Sequence, residues 1–583
     1  MHEWSLDILY KGYDDTCFQS DMKALEKNVD AYNELAKHIH EKTELEACKE
    51  IVKLQEQNKL VLSKLYAYGN LKQSTDTTDS ETIAYLEQIT RLVTKLSKAN
   101  SIFESFIAQV KNLDTYIKED EFLKEYAFYL KEIQENGKYL LSDDVEEVIT
   151  KLNMSGGSGW ESLQSYLTST LKVEYQGETI TLPQIRNLAY DADKQVRKSA
   201  YEAELKSYDK IKDAIAFSLN NIKSQFQTVC DLRGFESPLD MTLYQARMKK
   251  ETLDAMLEAM EEYMPLFQTY LKRKAKLLGY EHGLPWYELF APLATTSTTY
   301  SIDEAKEYLV THFKPFAQDM ADMIQTAFDE QWIDFYPKNG KVGGAFCYNL
   351  PFVKQSRVLT NYDGGLGDIV TLAHELGHAY HGMMIQDHHL LNTTYSMPVA
   401  ETASIFNENI IMNAIIKDAQ GEEKIALLEN QLQELTQIMC DIYSRFLFEK
   451  EVFERRTKGF MFPDELEQIM LDAQKKAYGD GLDPAYLHPY MWVCKSHYYS
   501  SDLSFYNFPY AFGGLFARGL VLKYQEEGPS FVDTYRKMLK ATTVSSVEDV
   551  ARIAHIDLTD KGFWIDCLKT CEKNVQEFLE LTK

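Results

Sequence analysis

Two histidines four residues apart with a glutamate after the first, His374-Glu375-Leu376-Gly377-His378, are the residues whose types and spacing point most directly to chemistry. Around them Ile369, Leu372, Leu376 and Ala379 recur at helical spacing, and Asp368, after the glycine-rich Gly364-Gly365-Leu366-Gly367, is the expected N-cap. Positions i and i+4 of a helix share a face, with Cβ atoms about 5–6 Å apart. Imidazole nitrogens of His374 and His378 can therefore meet on one metal ion at the roughly 2.0–2.1 Å that zinc requires. Glu375 lies off that face and can take the proton of a water bound at an open metal position. Two histidines also fall on a helix by chance, so the pattern needs a third ligand: a catalytic zinc takes three protein ligands and keeps one position open.

Downstream, Asp387-His388-His389 and Asn392-Thr393-Thr394 read as loop, and a helical pattern resumes at Pro398. Glu401 is placed to be the third ligand on a helix packed against the first, or to be a first-turn glutamate that complements the helix dipole. The residues alone leave both open. Glu408, seven positions on, faces the same way; it either accepts the second N–H of a ligand histidine or is an exposed helical carboxylate. His381, about two turns beyond His374, lines the cleft or packs.

The run His-Glu-Leu-Gly-His-Ala-Tyr-His from His374 to His381, followed by Val-Ala-Glu-Thr-Ala-Ser from Val399 to Ser404, resembles the thimet oligopeptidase and oligoendopeptidase F family of zinc peptidases, and within it the bacterial oligoendopeptidase F branch. The resemblance implies one zinc ion per chain, held by His374, His378 and Glu401, with Glu375 as general base. It also implies a mainly α, two-lobed, gluzincin-type body with a small β-sheet beside the active-site helix and a deep channel for oligopeptide substrates. The expected reaction is hydrolysis of internal peptide bonds of short oligopeptides by a zinc-bound water that Glu375 activates. A zinc carboxypeptidase or dipeptidyl carboxypeptidase on a related fold, and a catalytically silent peptide-binding protein, are the alternatives.

Peptide hydrolysis also needs a donor for the oxyanion of its tetrahedral intermediate. The family carries a histidine and then tyrosines facing the zinc; His497 matches that histidine and Tyr506 the first tyrosine. Relatives tend to read Phe-Tyr-Val-Tyr-Gln-Tyr-Ala where this chain reads Phe505-Tyr506-Asn507-Phe508-Pro509-Tyr510-Ala511. Phe508 thus lacks a hydroxyl, and Pro509 restrains the backbone. Tyr506 is the expected transition-state donor with His497 nearby, and Tyr510 is assigned to substrate contact.

At 583 residues the chain exceeds the size of one hydrophobic core, so two or more lobes are expected. A hydrophobic content of 45% is that of a folded globular protein, and a net charge of −27 argues against a nucleic-acid or anionic-membrane partner. Of eight cysteines only Cys567 and Cys571 fall within one helical turn, so no disulfide framework is indicated. The start of the chain lacks a basic-then-apolar signal and no run approaches about 18 apolar residues, which together suggest a cytoplasmic protein.

From about Gln19 to Leu152 amphipathic helical patterns succeed one another, such as Met22 to His38, Thr43 to Leu71 and Thr82 to Val110. Ser155 to Gly159 reads as a flexible linker or loop tip, and Val173 to Thr181 as a hairpin around Gln176-Gly177. A boundary near residue 195 separates an N-terminal helical domain, 1–195, from a catalytic domain, 196–583. Thr252 to Leu278 and Ile302 to Phe328 read as long helices, with a loop at Thr295 to Thr299 between them. Gly340 to Tyr348 and Arg357 to Tyr362 read as two strands before the motif helix. In peptidases of this type an edge strand here pairs with the substrate backbone, which assigns Gly344 and Ala345 to peptide contact; an ordinary packing hairpin is the other reading.

Overall fold

The N-terminal helices begin where side chains can cap them. Asp15 accepts the Cys17 N–H ahead of Thr16–His38, and Thr43 forms a capping box with Glu46 ahead of Glu44–Thr75. Their apolar stripes meet in a core that includes Phe18, Leu25, Ile51, Leu65, Phe103 and Leu130. The pattern expected across Thr82 to Val110 is two helices, Ser80–Thr94 and Ser97–Gln109. The computed structural model describes residues 2–294 and 299–583, so all but Thr299 of the expected Thr295–Thr299 loop lies outside the described residues.

The segment Ser155 to Gly159 is packed rather than flexible. Gly156 joins the helices Asp143–Ser155 and Gly157–Thr170, and a Cβ on Gly157 would lie 2.6 Å from the Ser501 Cβ. Two antiparallel strands follow, β1 (Lys172–Tyr175) and β2 (Glu178–Thr181). Their turn has positive φ at Gln176 (51°) and Gly177 (85°), as a two-residue type I′ hairpin requires. Residues from 171 to 222 share a core with residues from 448 to 499. Residue 195 lies in the helix Lys194–Tyr208, whose Ala200 and Tyr208 belong to that core.

The helix Lys250–Leu277 runs on through Pro265, whereas the pattern from Ile302 to Phe328 divides around Pro315 into Ile302–Phe313 and Gln318–Asp329. A proline cannot donate to the preceding turn, which accounts for the second break. A three-stranded sheet then forms from β3 (Ile333–Asp334), β4 (Phe346–Leu350) and β5 (Gln355–Leu359) in the order β3-β5-β4. β5 is central, with Val358 and Leu359 fully buried, and β4 is an antiparallel edge. Both expected strands are shorter than the sequence suggests. Gly340 (φ 83°) and Gly344 (φ 78°) adopt left-handed backbone that breaks the ladder before Phe346.

Five helices surround the motif: α1 (Leu366–Ile385), α2 (Thr402–Asp418), α3 (Gly421–Thr436), α4 (Ile442–Arg456) and α5 (Phe508–Glu527). A π-helical turn, Gln437–Asp441, links α3 to α4. Ile369, Leu372 and Leu376 of α1, Phe406 and Ile411 of α2, and Phe512 and Phe516 of α5 enter one continuous core. The architecture is mainly α with small sheets, one of them beside the motif helix. Among the described residues no helix is long and apolar enough to cross a membrane.

Candidate active site

The motif helix is anchored differently from the expected N-cap. Gly365 occupies that position, and Asp368, three residues later, folds back: its Oδ2 accepts the N–H groups of Asp363 (2.9 Å), Gly364 (2.9 Å) and Gly365 (3.1 Å). One carboxylate thus satisfies the Asp363 and Gly364 donors at the helix entry and shares the Gly365 N–H with Asp363 Oδ1.

Farther along α1, the Nε2 atoms of His374 and His378 stand 3.2 Å apart. Glu401 sits at the junction between the short turn Met397–Ala400 and α2, with its Oε2 at 3.4 Å from His374 Nε2 and 3.3 Å from His378 Nε2. An ion with tetrahedral bonds of about 2.0–2.1 Å sets its ligand atoms about 3.3–3.4 Å apart. All three edges fit that requirement. Among the described residues this is the one group of histidine, cysteine and carboxylate side chains positioned to hold a metal.

Neighbours orient each donor. Glu408 Oε1 accepts the His374 Nδ1–H at 2.6 Å, which leaves the Nε2 lone pair turned toward the other two ligand atoms. Burial pulls the His374 pKa down, but the Glu408 hydrogen bond and charge lift it to about 8. Ser404 Oγ donates to Glu401 Oε2 at 2.7 Å. Burial raises Glu401, yet His378 and Ser404 hold it at about 2. Replacing Glu408 by alanine is expected to weaken metal binding about 10–100-fold, read by competition against a chelator of known affinity.

Gly377 allows the close approach of α1 and α2. A Cβ there would lie 2.6 Å from both the Ala403 carbonyl oxygen and the Ser404 Cα. Asn407 Nδ2 donates to the Ala373 carbonyl at 3.2 Å across the same contact. Glu375 is only 6% exposed and opens on a cavity of about 540 Å³ that it shares with His374 and Ala345. Burial raises its pKa, opposed by the charges of His374 and His378. Gly344, one residue before Ala345, has open space where a Cβ would stand, and its carbonyl is held by Asn361 Nδ2 at 2.8 Å.

His497, Tyr506 and Tyr510 form a cluster of three rings with centroids 5.2, 5.7 and 5.8 Å apart. His497 Nε2 and the Tyr510 hydroxyl are hydrogen-bonded at 3.2 Å. On the same helix as Tyr510, Gly513 lies against Glu401: a Cβ there would stand 3.2 Å from the Glu401 Cβ. Burial, with the charges of Arg445 and Lys495, pushes His497 down to about 4, so its imidazole is neutral at pH 7. Burial, with the neighbouring Tyr506 and Glu401, raises the Tyr510 phenol.

Several residues here escape sequence reasoning. Ser404 and Asn407 lie within the second segment but carry no spacing signal of their own. Arg445 is buried, ion-paired to Asp441 at the π-helical turn, and donates to Asn507 Oδ1 at 3.1 Å, which fixes the chain between Tyr506 and Phe508. His381, for which packing is one of the two readings, is buried and stays outside the group of His374, His378 and Glu401: its Nε2 is hydrogen-bonded to Thr542 Oγ1 at 2.8 Å and its ring stacks on Tyr395.

Fold and site together define a mainly helical protein with a three-residue group positioned to hold a metal ion. Peptidase family M3 matches residues 187–570, more than half of the chain, and oligopeptidase F matches residues 109–172. The chain belongs to peptidase family M3. Group B oligopeptidase PepB of Streptococcus agalactiae is 23% identical over 592 aligned positions, 100% of this chain and 97% of that protein. Oligopeptidase PepF of Bacillus subtilis is 24% identical over 89% of this chain and 79% of its own length. The crystal structure of oligoendopeptidase-F from Enterococcus faecium shares the fold, with a TM-score of 0.72 at 20% identity over 97% of this chain and 98% of that one.

Proposed function

We propose that the enzyme hydrolyses internal bonds of short oligopeptides at a zinc ion held by His374, His378 and Glu401, with Glu375 as general base. The carrying observation is the triangle of ligand atoms, with edges of 3.2, 3.3 and 3.4 Å, beside a buried glutamate. Three protein ligands without a cysteine suit a catalytic zinc, which keeps a position open, better than a structural one. When bound, zinc supplies Lewis acidity to the scissile carbonyl and lowers the pKa of a water.

Glu375 takes the proton of the attacking water and returns it to the leaving nitrogen. Tyr506, whose ring lies 5.2 Å from that of neutral His497, is the proposed donor to the oxyanion. The free edge of β4 with Gly344 and Ala345 would pair with the peptide backbone, while Tyr510 lines its path. Tyr506→Phe is then expected to lower kcat about 10²–10³-fold with little change in KM, and Tyr510→Phe by less, measured by steady-state kinetics on one peptide.

We assign residues 1–195 to an N-terminal helical domain and catalysis to residues 196–583, which hold every proposed ligand. Oligopeptides as substrates follow from the relatives, which are named as oligopeptidases. The eight cysteines are all free, which suits the reducing cytoplasm where we place the enzyme.

A peptide of about eight residues blocked at both ends separates this proposal from its rivals. Internal cleavage supports it. Cleavage only of the counterpart with a free C-terminal carboxylate, from that end, points to a carboxypeptidase. No cleavage of any peptide by metal-loaded protein points to a silent binder.

A further inference from the structure

The cavity of about 540 Å³ beside Glu375 holds more than the catalytic groups. Resting on the peptidase function proposed above, we propose that it receives the side chain of the residue following the cleaved bond, and that it selects a cationic one, arginine or lysine. Glu375 hands its proton to the leaving nitrogen, so the residue that owns this nitrogen lies against Glu375 and the cavity it opens on.

The lining divides by chemistry. Leu366 and Val370 of α1, Met412 of α2 and Leu427 of α3 give apolar walls that suit the methylene stem of a long side chain. Among the lining residues there is no lysine or arginine, and besides Glu375 two carboxylates face the space, Glu408 and Glu434. Glu408 is already engaged, its Oε1 on His374 Nδ1. The side chain of Glu434, near the end of α3, is exposed and has no hydrogen-bond or ion-pair partner among the described residues.

An unpaired carboxylate at an apolar slot attracts a guanidinium or ammonium group and repels aspartate and glutamate. A cation entering between Glu408 and Glu434 would offset the repulsion between these carboxylates, so the lining is one that a positive side chain improves. Sequence offered no hint of this, since Glu434 reads as one more polar residue of an amphipathic helix.

The test uses quenched peptides blocked at both ends and identical except at the residue after the cleaved bond: Arg, Lys, Gln, Leu or Glu. Wild type is expected to cut the Arg and Lys peptides with kcat/KM about tenfold or more above Leu and Gln, and Glu slowest. Glu434→Gln is expected to collapse the Arg-to-Leu ratio toward one, and Glu434→Lys to favour the Glu peptide over Arg. A wild type that cuts Leu or Gln as fast as Arg overturns the proposal, as does an Arg-to-Leu ratio that survives Glu434→Gln. If no peptide in the series is cut in a chelator-sensitive way, the peptidase proposal itself fails, and this one with it.

Discussion

Glu375→Gln is expected to keep the metal and lose nearly all hydrolysis, a fall of about 10²–10⁴-fold in kcat. Glutamine has the size of glutamate and cannot accept the proton of the attacking water. None of the three ligand atoms belongs to residue 375, so metal binding is preserved. The side chain is buried against the same cavity, which leaves an exposed carboxylate little chance of substituting for it. The check pairs turnover of a quenched peptide with the metal content of the same sample. Turnover within about tenfold of wild type would remove Glu375 from the chemistry.

Gly377→Ala is expected to remove activity by a different route. The added methyl meets backbone on the neighbouring helix, the Ala403 carbonyl oxygen and the Ser404 Cα, each at 2.6 Å. No side-chain rotation relieves such a contact, so α2 must move away from α1. Overpacking of this kind costs about 1–3 kcal/mol of stability. The larger consequence is local, because Glu401 sits directly ahead of α2 and Ser404, which orients it, is one of the atoms struck. A shift of a few tenths of an ångström spoils a triangle whose edges match one ion, and metal affinity is expected to fall by about 10-fold or more. Calorimetric metal titration beside a thermal melt separates the two effects. An alanine variant that binds metal as wild type does would show that the close approach is dispensable.

The grouping of His374, His378 and Glu401 could be anticipated because its geometry is local. His374 and His378 share a helix face by spacing alone, and Glu401 follows in a segment whose composition carries its own resemblance. The hairpin of β1 and β2 was equally legible, since Gln176-Gly177 supplies the positive φ angles that its turn demands. Other features depend on contacts far apart in the chain. Arg445 reaches Asn507 across 62 residues, from a helix entered through a π-helical turn that no periodicity announces. Glu434 meets the cavity because α1 and α3, far apart in the chain, both line it. Two expectations failed on signals that were present. Pro315 divides a stretch read as one helix, and the glycines at 340 and 344 end the strand that they were read as part of. Ser155 to Gly159 failed for another reason: its glycines serve close packing against Ser501 and Gln225 rather than flexibility.

The most direct measurement is cleavage of an internally quenched octapeptide, blocked at both ends, before and after treatment with 1,10-phenanthroline, with zinc then restored in stoichiometric steps. Internal cleavage that is lost with the metal and returns fully at about one zinc per chain is the expected result. Cleavage that continues undiminished in protein shown to be free of metal would contradict a reaction built on His374, His378 and Glu401.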